Sequence, residues 1–338
     1  MKTNYILAFE SSCDDTSVAV VDTEYKVYSN LISSQPNHLE FGGILPELAS
    51  RLHMKNIMYL TSAALQEAKV DLDDIQAIAV SINPGLIGSL IVGLSFAKSL
   101  AWSRNLPLIT VNHMLSHIFS NYLVHPNIKA PFLALVVSGG HTELVYFRTE
   151  TEFEIVGKTL DDAAGETFDK TAKLMHLGFP GGPIIDRLAV GGDPSFFQFP
   201  RALKQKDNFN FSYSGVKTAM LQYIRSIDDE YLQEHQADIA ASIQAAIVEP
   251  LIKKTVRWAR LHNVENILLA GGVAANSALR SGLTTHANKY GINAYFPSLK
   301  LCMDNAAMVA AAAIPKFNQG LFASLDVNAF STKGTKLI

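Results

Sequence analysis

The feature that most constrains this chain's fold is an internal duplication. Residues 5–21 read as an apolar strand, a short polar turn and a β-branched strand, the pattern of a hairpin. Residues 132–147 repeat the plan, and Ser12 and Thr16 of the first turn are matched at the same offset by Ser138 and Thr142. A second echo follows each hairpin. Residues 77–100 predict a strand, a Gly/Pro turn and a long apolar helix, and residues 266–283 predict the same around Gly271 and Gly272. Further strands are expected at 107–111 and 292–296, each followed by another helix. Alternating strands and helices in a duplicated chain argue for an α/β architecture of two related halves around a cleft. The expected division is an N-terminal lobe over 1–125 and a C-terminal lobe over 126–338, with the last helices able to pack back on the first lobe. At 338 residues, 48% of them hydrophobic, the chain is long enough for more than one core.

The helix expected after the strand at 107–111 opens with His113-Met-Leu-Ser-His117. Two histidines four residues apart share one helix face, a spacing that suits two ligands of one divalent metal. Met114 stands where a zinc protease of the His-Glu-x-x-His type carries its glutamate, so that chemistry is not expected. A third ligand must then come from elsewhere. The duplication supplies one, because the helix corresponding to the His113 helix begins near Asp304 in the second half. On this reading His113, His117 and Asp304 sit on facing elements of two similar halves. The turns at 138–140 and 271–272 are Gly-rich, and such turns let backbone N–H groups reach phosphate oxygens unobstructed.

The net charge of −3 gives no global pull toward nucleic acid, so an RNA partner needs a local basic patch or other subunits. Two cysteines, Cys13 and Cys302, make no secreted disulfide scaffold, and no signal peptide or membrane-length apolar run is visible, so a cytoplasmic location is expected. Residues 46–69 have helical periodicity. Residues 159–177 predict a loop and helix with Asp161, Asp162, Glu166 and Asp169 crowded at its start, more carboxylates than capping needs. Between 201 and 217, Arg201, Lys204, Lys206 and Lys217 interleave with Phe209, Phe211 and Tyr213, which suits either single-stranded RNA or a loop anchored by aromatics. Lys253, Lys254, Arg257 and Arg260 on the helix at 238–262 read most simply as a solvated face.

A family resemblance gathers these stretches. Glu10–Asp14 (ESSCD), Pro84–Gly88 (PGLIG), His113 with His117, Val137–Thr142 (VSGGHT), Asp161–Lys170 (DDAAGETFDK), Pro180–Pro183 (PGGP), Phe211–Gly215 (FSYSG), Gly271–Asn276 (GGVAAN) and Asp304-Asn305 occur in that order. Together they resemble the bacterial tRNA threonylcarbamoyladenosine transferases, a family once taken for O-sialoglycoprotein endopeptidases, over residues 6 to about 312. The resemblance implies an actin/hexokinase-like (ASKHA) duplicated two-lobe fold with the active site in the interlobe cleft. It implies transfer of threonylcarbamoyl from threonylcarbamoyl-adenylate to N6 of adenosine 37 in tRNAs reading ANN codons, with release of AMP. It maps one metal, iron foremost with zinc as the alternative, onto His113, His117 and Asp304. It maps the adenylate onto Val136, Val137, Ser138, Gly139, Gly140, Asp169, Gly182, Asp186 and Asn276, and leaves Asp14 as the candidate to accept the amine proton or orient the base. It implies two protein partners, a shorter inactive relative (TsaB-like) and a small P-loop ATPase (TsaE-like), and no membrane. Ser116, Asp15, Asn83 and Ala306 depart from the family's usual residues, and none removes a proposed ligand. The rivals are a small-molecule kinase of the same fold, which would need a carboxylate base and Mg²⁺ rather than a His pair, a metallopeptidase, and a non-catalytic nucleotide-binding scaffold.

Overall fold

A computed structural model describes residues 3–35 and 44–331. The first hairpin is β1 (Tyr5–Glu10) and β2 (Thr16–Asp22), extended by β3 (Val27–Ser33). Helix α1 (Pro46–Ala68) follows, then β4 (Ile75–Asn83), α2 (Ile87–Arg104), β5 (Leu108–Asn112) and the short α3 (His113–Phe119). These strands form one sheet in the order β3-β2-β1-β4-β5. Its first three strands are antiparallel, as hairpins must be, and β1, β4 and β5 run parallel across helical connections. Strands β1 and β2 are buried along almost their whole length, which is why they read as continuous apolar runs rather than as alternating ones.

The second half repeats the design with β6 (Phe132–Val137), β7 (Thr142–Phe147) and β8 (Phe153–Lys158). Then come α4 (Ala164–Leu174), α5 (Gly181–Leu188), α6 (Ser214–Arg225), α7 (Asp229–Glu234), α8 (Gln236–Leu261), β9 (Asn266–Ala270), α9 (Ser277–Asn288) and β10 (Asn293–Tyr295). The sheet order β10-β9-β6-β7-β8 is the first sheet's order with each strand replaced by its counterpart, and the parallel and antiparallel pairings correspond one for one. In both units a glycine after the parallel strand presses on the hairpin. A Cβ on Gly85 would lie 2.4 Å from the Ser12 carbonyl oxygen, and one on Gly271 (φ +88°) would lie 2.4 Å from that of Val137. Only glycine allows either approach.

The chain divides into two compact units, one comprising Lys129–Cys302 and the other everything described on either side of it. Helix α10 (Ala306–Asn318) therefore belongs to the first unit, where it packs on α3, β1 and β2. Every residue from Ala306 to Pro315 is buried, as expected of a helix that is apolar all round. In the first unit the core lies where Leu7, Phe9, Val18 and Val80 of the sheet meet Ile57 of α1 and Leu94 of α2. In the second, Leu133, Leu135 and Leu269 of the sheet meet Ile243, Ile247 and Leu251 of α8. No described helix is long and apolar enough to cross a membrane.

Candidate functional site

Asn112 ends β5 and caps α3, its side-chain oxygen accepting from Met114 N (2.8 Å) and Leu115 N (3.2 Å). That cap starts the helix at His113, so His113 and His117 project from one face with ring centroids 4.8 Å apart. Asp304 stands just ahead of α10, whose own cap is the Asn305 side chain. One oxygen of Asp304 lies 3.1 Å from His117 Nε2 and 3.5 Å from His113 Nε2. The three candidate ligand atoms lie within 4.8 Å of one another. The histidine side chains are 11% and 3% exposed against 27% for Asp304, so the cluster opens on the carboxylate side.

The residues fit a divalent ion. Glu10, buried at the end of β1, brings an oxygen to 3.0 Å from His113 Nδ1, and the Ser12 hydroxyl lies 3.1 Å from the same nitrogen. A buried carboxylate there places the proton on Nδ1 and leaves the Nε2 lone pair for a metal, the carboxylate–histidine arrangement common behind metal ligands. Glu10 is itself held, its other oxygen accepting from Ser12 N at 2.6 Å. His117 Nδ1 is buried with no hydrogen-bond partner in the structure. Two imidazoles and one carboxylate with coordination positions to spare suit iron or zinc. In the neighbouring turn, burial and Asp14 push the Cys13 thiol above its usual range.

The electrostatics point the same way. Burial opposes charge on Asp304, but His113 and His117 outweigh it and hold the carboxyl well below its ordinary value. Burial likewise opposes an imidazolium at His113, and the Asp304 and Glu10 carboxylates overcome it, raising this pKa to about 9. Burial pushes Asp15 up to about 6, opposed by a Ser34 hydrogen bond and aided by repulsion from Asp304, Asp14 and Glu10. With His113 neutral, Glu10 and Asp304 leave two negative charges around a desolvated pocket, which a divalent cation would balance. Asp14 lies half-buried in the same turn, against Cys13.

In the second unit, Val136 and Val137 end β6 and are buried, while Gly139 and Gly140 form the exposed tip of the β6–β7 turn. The turn closes through Ser138, whose N–H donates to His141 O and whose hydroxyl accepts from His141 N. The two glycines lie outside those bonds, and a Cβ on either would meet nothing within 4 Å. Asp169, Gly182, Asp186 and Asn276 are brought together as a chain of helix caps. Asp169 on α4 accepts from Gly181 N at 2.7 Å and also from Gly182 N at the start of α5, while burial, the largest influence, raises its carboxyl. Asp186 on α5 accepts from both the N–H and the hydroxyl of Ser277 at the start of α9. Asn276 caps α9 through Leu279 N and donates to Gln244 Oε1 at 2.7 Å.

Two expectations are corrected and one open alternative is decided. His113, His117 and Asp304 do not lie on opposing halves, because the chain returns to the first unit at Met303 and carries Asp304 with it. The aromatics at 209–213 are anchors rather than an RNA-stacking surface: Phe211 and Tyr213 are each 1% exposed, and Phe209 packs against the same core. Lys254 and Arg257 are not a solvated face. Lys254 is buried and donates to Asn210 O, and Arg257 donates to Gln205 O and Asn208 O. The crowded carboxylates at 161–166 also find structural partners. Asp161 accepts from the hydroxyls of Ser212 and Ser214 and from Tyr213 N, and Asp162 pairs with Lys170 and Lys217. Glu10 was missed in the sequence, although an acidic residue closing an all-apolar strand signals a buried charge in need of a partner.

The paired sheets, with matching strand orders, define an actin/hexokinase-like (ASKHA) fold. Solved structures of that kind superpose on nearly the whole chain. HypF in a phosphate- and nucleotide-bound form matches with TM-score 0.63 at 15% identity, over 95% of this chain and 56% of HypF. The (R)-2-hydroxyglutaryl-CoA dehydratase component A of Acidaminococcus fermentans matches with TM-score 0.55 at 14% identity, over 93% of this chain and 98% of its own. The family model for tRNA N6-adenosine threonylcarbamoyltransferase (TsaD) matches residues 26–311, and the chain belongs to that family of transferases. The protein of that name from Kosmotoga olearia is 46% identical over 96% of this chain and 97% of its own length. Its namesake from Chlorobium luteolum is 49% identical over 94% of each chain. This match does not favour the kinase alternative.

Proposed function

We infer that the chain transfers the threonylcarbamoyl group of threonylcarbamoyl-adenylate to N6 of adenosine 37 in tRNAs reading ANN codons. The observation that carries this is the convergence of His113, His117 and Asp304, with Glu10 behind His113, in a chain of the threonylcarbamoyltransferase family. The exocyclic amine attacks the threonylcarbamoyl carbonyl, the new C–N bond forms, the C–O bond to the adenylate phosphate breaks, and AMP leaves with that electron pair. His113, His117 and Asp304 would hold one divalent ion, iron foremost and zinc the alternative, which supplies Lewis-acid polarisation of a carbonyl.

For the adenylate, the N–H groups at the Gly139–Gly140 tip suit its phosphate, because open space above both glycines lets backbone approach the anion. Val136, Val137 and Ser138 set the position of that tip. The Asp169 and Asp186 carboxylates each keep acceptor capacity beyond their capping bonds and suit ribose hydroxyls. Gly182 and Asn276 complete the same ridge. Asp14 is the candidate acceptor for the amine proton. Since the carbonyl arrives already activated, no protein nucleophile is needed, and catalysis rests on positioning and charge stabilisation. On this reading the protein works in the cytoplasm with tRNA, the TsaB-like relative and the TsaE-like ATPase, the partners that the family resemblance implies.

The test is to deplete the protein from its cells, digest bulk tRNA, measure threonylcarbamoyladenosine by mass spectrometry, and rescue with wild type or His113→Ala. Loss of the nucleoside, restored by wild type only, supports both the transfer and the metal centre. Full rescue by His113→Ala removes the metal argument. An unchanged nucleoside level, with no second enzyme covering the loss, overturns the transferase reading.

A further inference from the structure

Helix α1 buries a stripe made of Ala49, His53, Ile57, Thr61, Ala64 and Ala68, and His53 is its only titratable member. Such stripes are ordinarily apolar, and His53 is fully buried. Its Nε2 lies 2.9 Å from the Cys13 carbonyl oxygen and its Nδ1 lies 2.8 Å from the Thr16 hydroxyl. A carbonyl can only accept, so Nε2 carries the proton and Nδ1 accepts from Thr16. One bond ends in the turn between β1 and β2 and the other on the first residue of β2. From α2 the same turn is held twice more, by Leu86 N donating to Ser12 O (2.7 Å) and by the Ser11 hydroxyl donating to Ser89 O (2.9 Å).

What lies between these holds is the support of the candidate metal centre. Glu10 and Ser12 face His113 Nδ1, and past the turn the Ser17 hydroxyl accepts from Ala306 N, two residues after Asp304. We propose that His53 is a positioning residue for the metal centre: its Nε2–H fixes the Cys13 carbonyl and thereby the placement of Ser12 and Glu10 against His113. Helix α1 is thus linked to the turn beside the metal ligands through the His53 imidazole. This rests on the metal reading of His113, His117 and Asp304. The rival is a histidine that merely fills its place in the core stripe.

The two readings separate in the whole chain, stripped with a chelator and titrated with Co²⁺ in competition with a chelating dye, with the visible Co²⁺ bands recorded. Thermal unfolding in EDTA runs alongside. His53→Asn keeps a polar atom at the Nδ1 position but has no donor to reach Cys13, whereas His53→Gln keeps an N–H at the Nε2 position. His53→Asn should weaken Co²⁺ binding roughly tenfold, the low end of outer-shell effects, and shift the bands, whereas His53→Gln should stay below that range, within about threefold of wild type. Equal weakening by both variants, or wild-type affinity and bands in His53→Asn, overturns the proposal. If His53→Asn shows no cooperative unfolding, Thr16→Val decides, because it removes the other bond that orients the imidazole toward the Cys13 carbonyl. Shifted bands support the proposal, and wild-type bands overturn it. His113→Ala is the control for the metal reading: wild-type Co²⁺ affinity in that variant overturns the reading and this proposal together, whereas its loss leaves any failure to His53 alone.

Discussion

In the first unit the turn that closes the hairpin carries Cys13, Asp14 and Asp15, with Glu10 just before it, whereas the matching turn of the second unit carries Ser138, Gly139, Gly140 and His141. The strands around the two turns pair alike, and each turn has a glycine of the following parallel strand pressed on its hairpin. Their chemistry is opposite. The first collects carboxylates and points Glu10 at an imidazole, which favours a cation. The second shows bare backbone N–H groups, which favour an anion. Carboxylates diverge in the same way. Glu10 and Asp304 face histidines, while Asp169 and Asp186 accept from backbone N–H groups at the starts of α5 and α9. A duplicated backbone has kept its pairing and diverged in the residues that line its turns, which alter the chemistry at little cost to the sheets.

The comparison breaks most readily at the metal. Asp304→Ala should lower metal affinity by about 100- to 1,000-fold, since apparent binding energies of about 10–16 kcal/mol for four-ligand zinc sites come to about 2.5–4 kcal/mol per ligand. Metal content after dialysis reads this directly, and a variant that retains its metal would remove the cation side of the contrast. Next comes pH. The His113 pKa is raised from 6.5 to about 9, so its imidazolium stabilises the stripped protein fully below about pH 6.5 and that contribution is lost as pH rises through 9. The melting temperature of chelated protein should therefore fall over that window. Metal affinity should rise over the same window by roughly tenfold per pH unit, because the proton must leave before Nε2 can ligate. A flat affinity profile between pH 6.5 and 9 would mean that metal displaces no proton from His113 in that window, which removes the raised pKa from the account.

Glu10→Gln should weaken metal binding by about 10- to 100-fold, the usual effect of removing a carboxylate behind a ligand histidine. Chelator competition measures it, and unchanged affinity would count against the orienting role. In the second unit, Gly140→Val adds bulk where nothing stands within 4 Å, so unfolding should be unaltered. The KM for the adenylate should rise about tenfold, which corresponds to about 1.4 kcal/mol of lost contact. An unchanged KM would remove the anion side of the comparison. The smallest effect belongs to the caps. Ser277→Ala removes the hydroxyl that Asp186 binds and should cost about 1 kcal/mol in urea unfolding, with metal affinity unchanged. A shift in metal affinity would show that the two units are not chemically separate.

The duplication was legible because it is written in local pattern. Apolar runs broken by Gly- and Ser-rich turns mark β1, β2, β6 and β7, and the strand–turn–helix echo marks β4 with α2 and β9 with α9. The candidate metal ligands were legible for the same reason, the His113/His117 pair by helical spacing and Asp304 by its place in the repeat. The placing of Asp304 on an opposite half was wrong, because periodicity says nothing of where a helix docks. A nearly all-apolar α10 needs burial on every side and finds it against α3, β1 and β2.

The sequence by itself thus determined the two hairpins, the strand–turn–helix echo after each, and which side chains are candidates for a metal. Tertiary structure alone decided what each polar group binds. Glu10 meets His113 across 103 residues, Asp186 meets Ser277 across 91, and Asp161 meets Tyr213 across 52. A buried charge must find a partner, but the cost of burying it does not name which one. Only the packing of whole elements brings the two ends of such a bond within hydrogen-bonding distance.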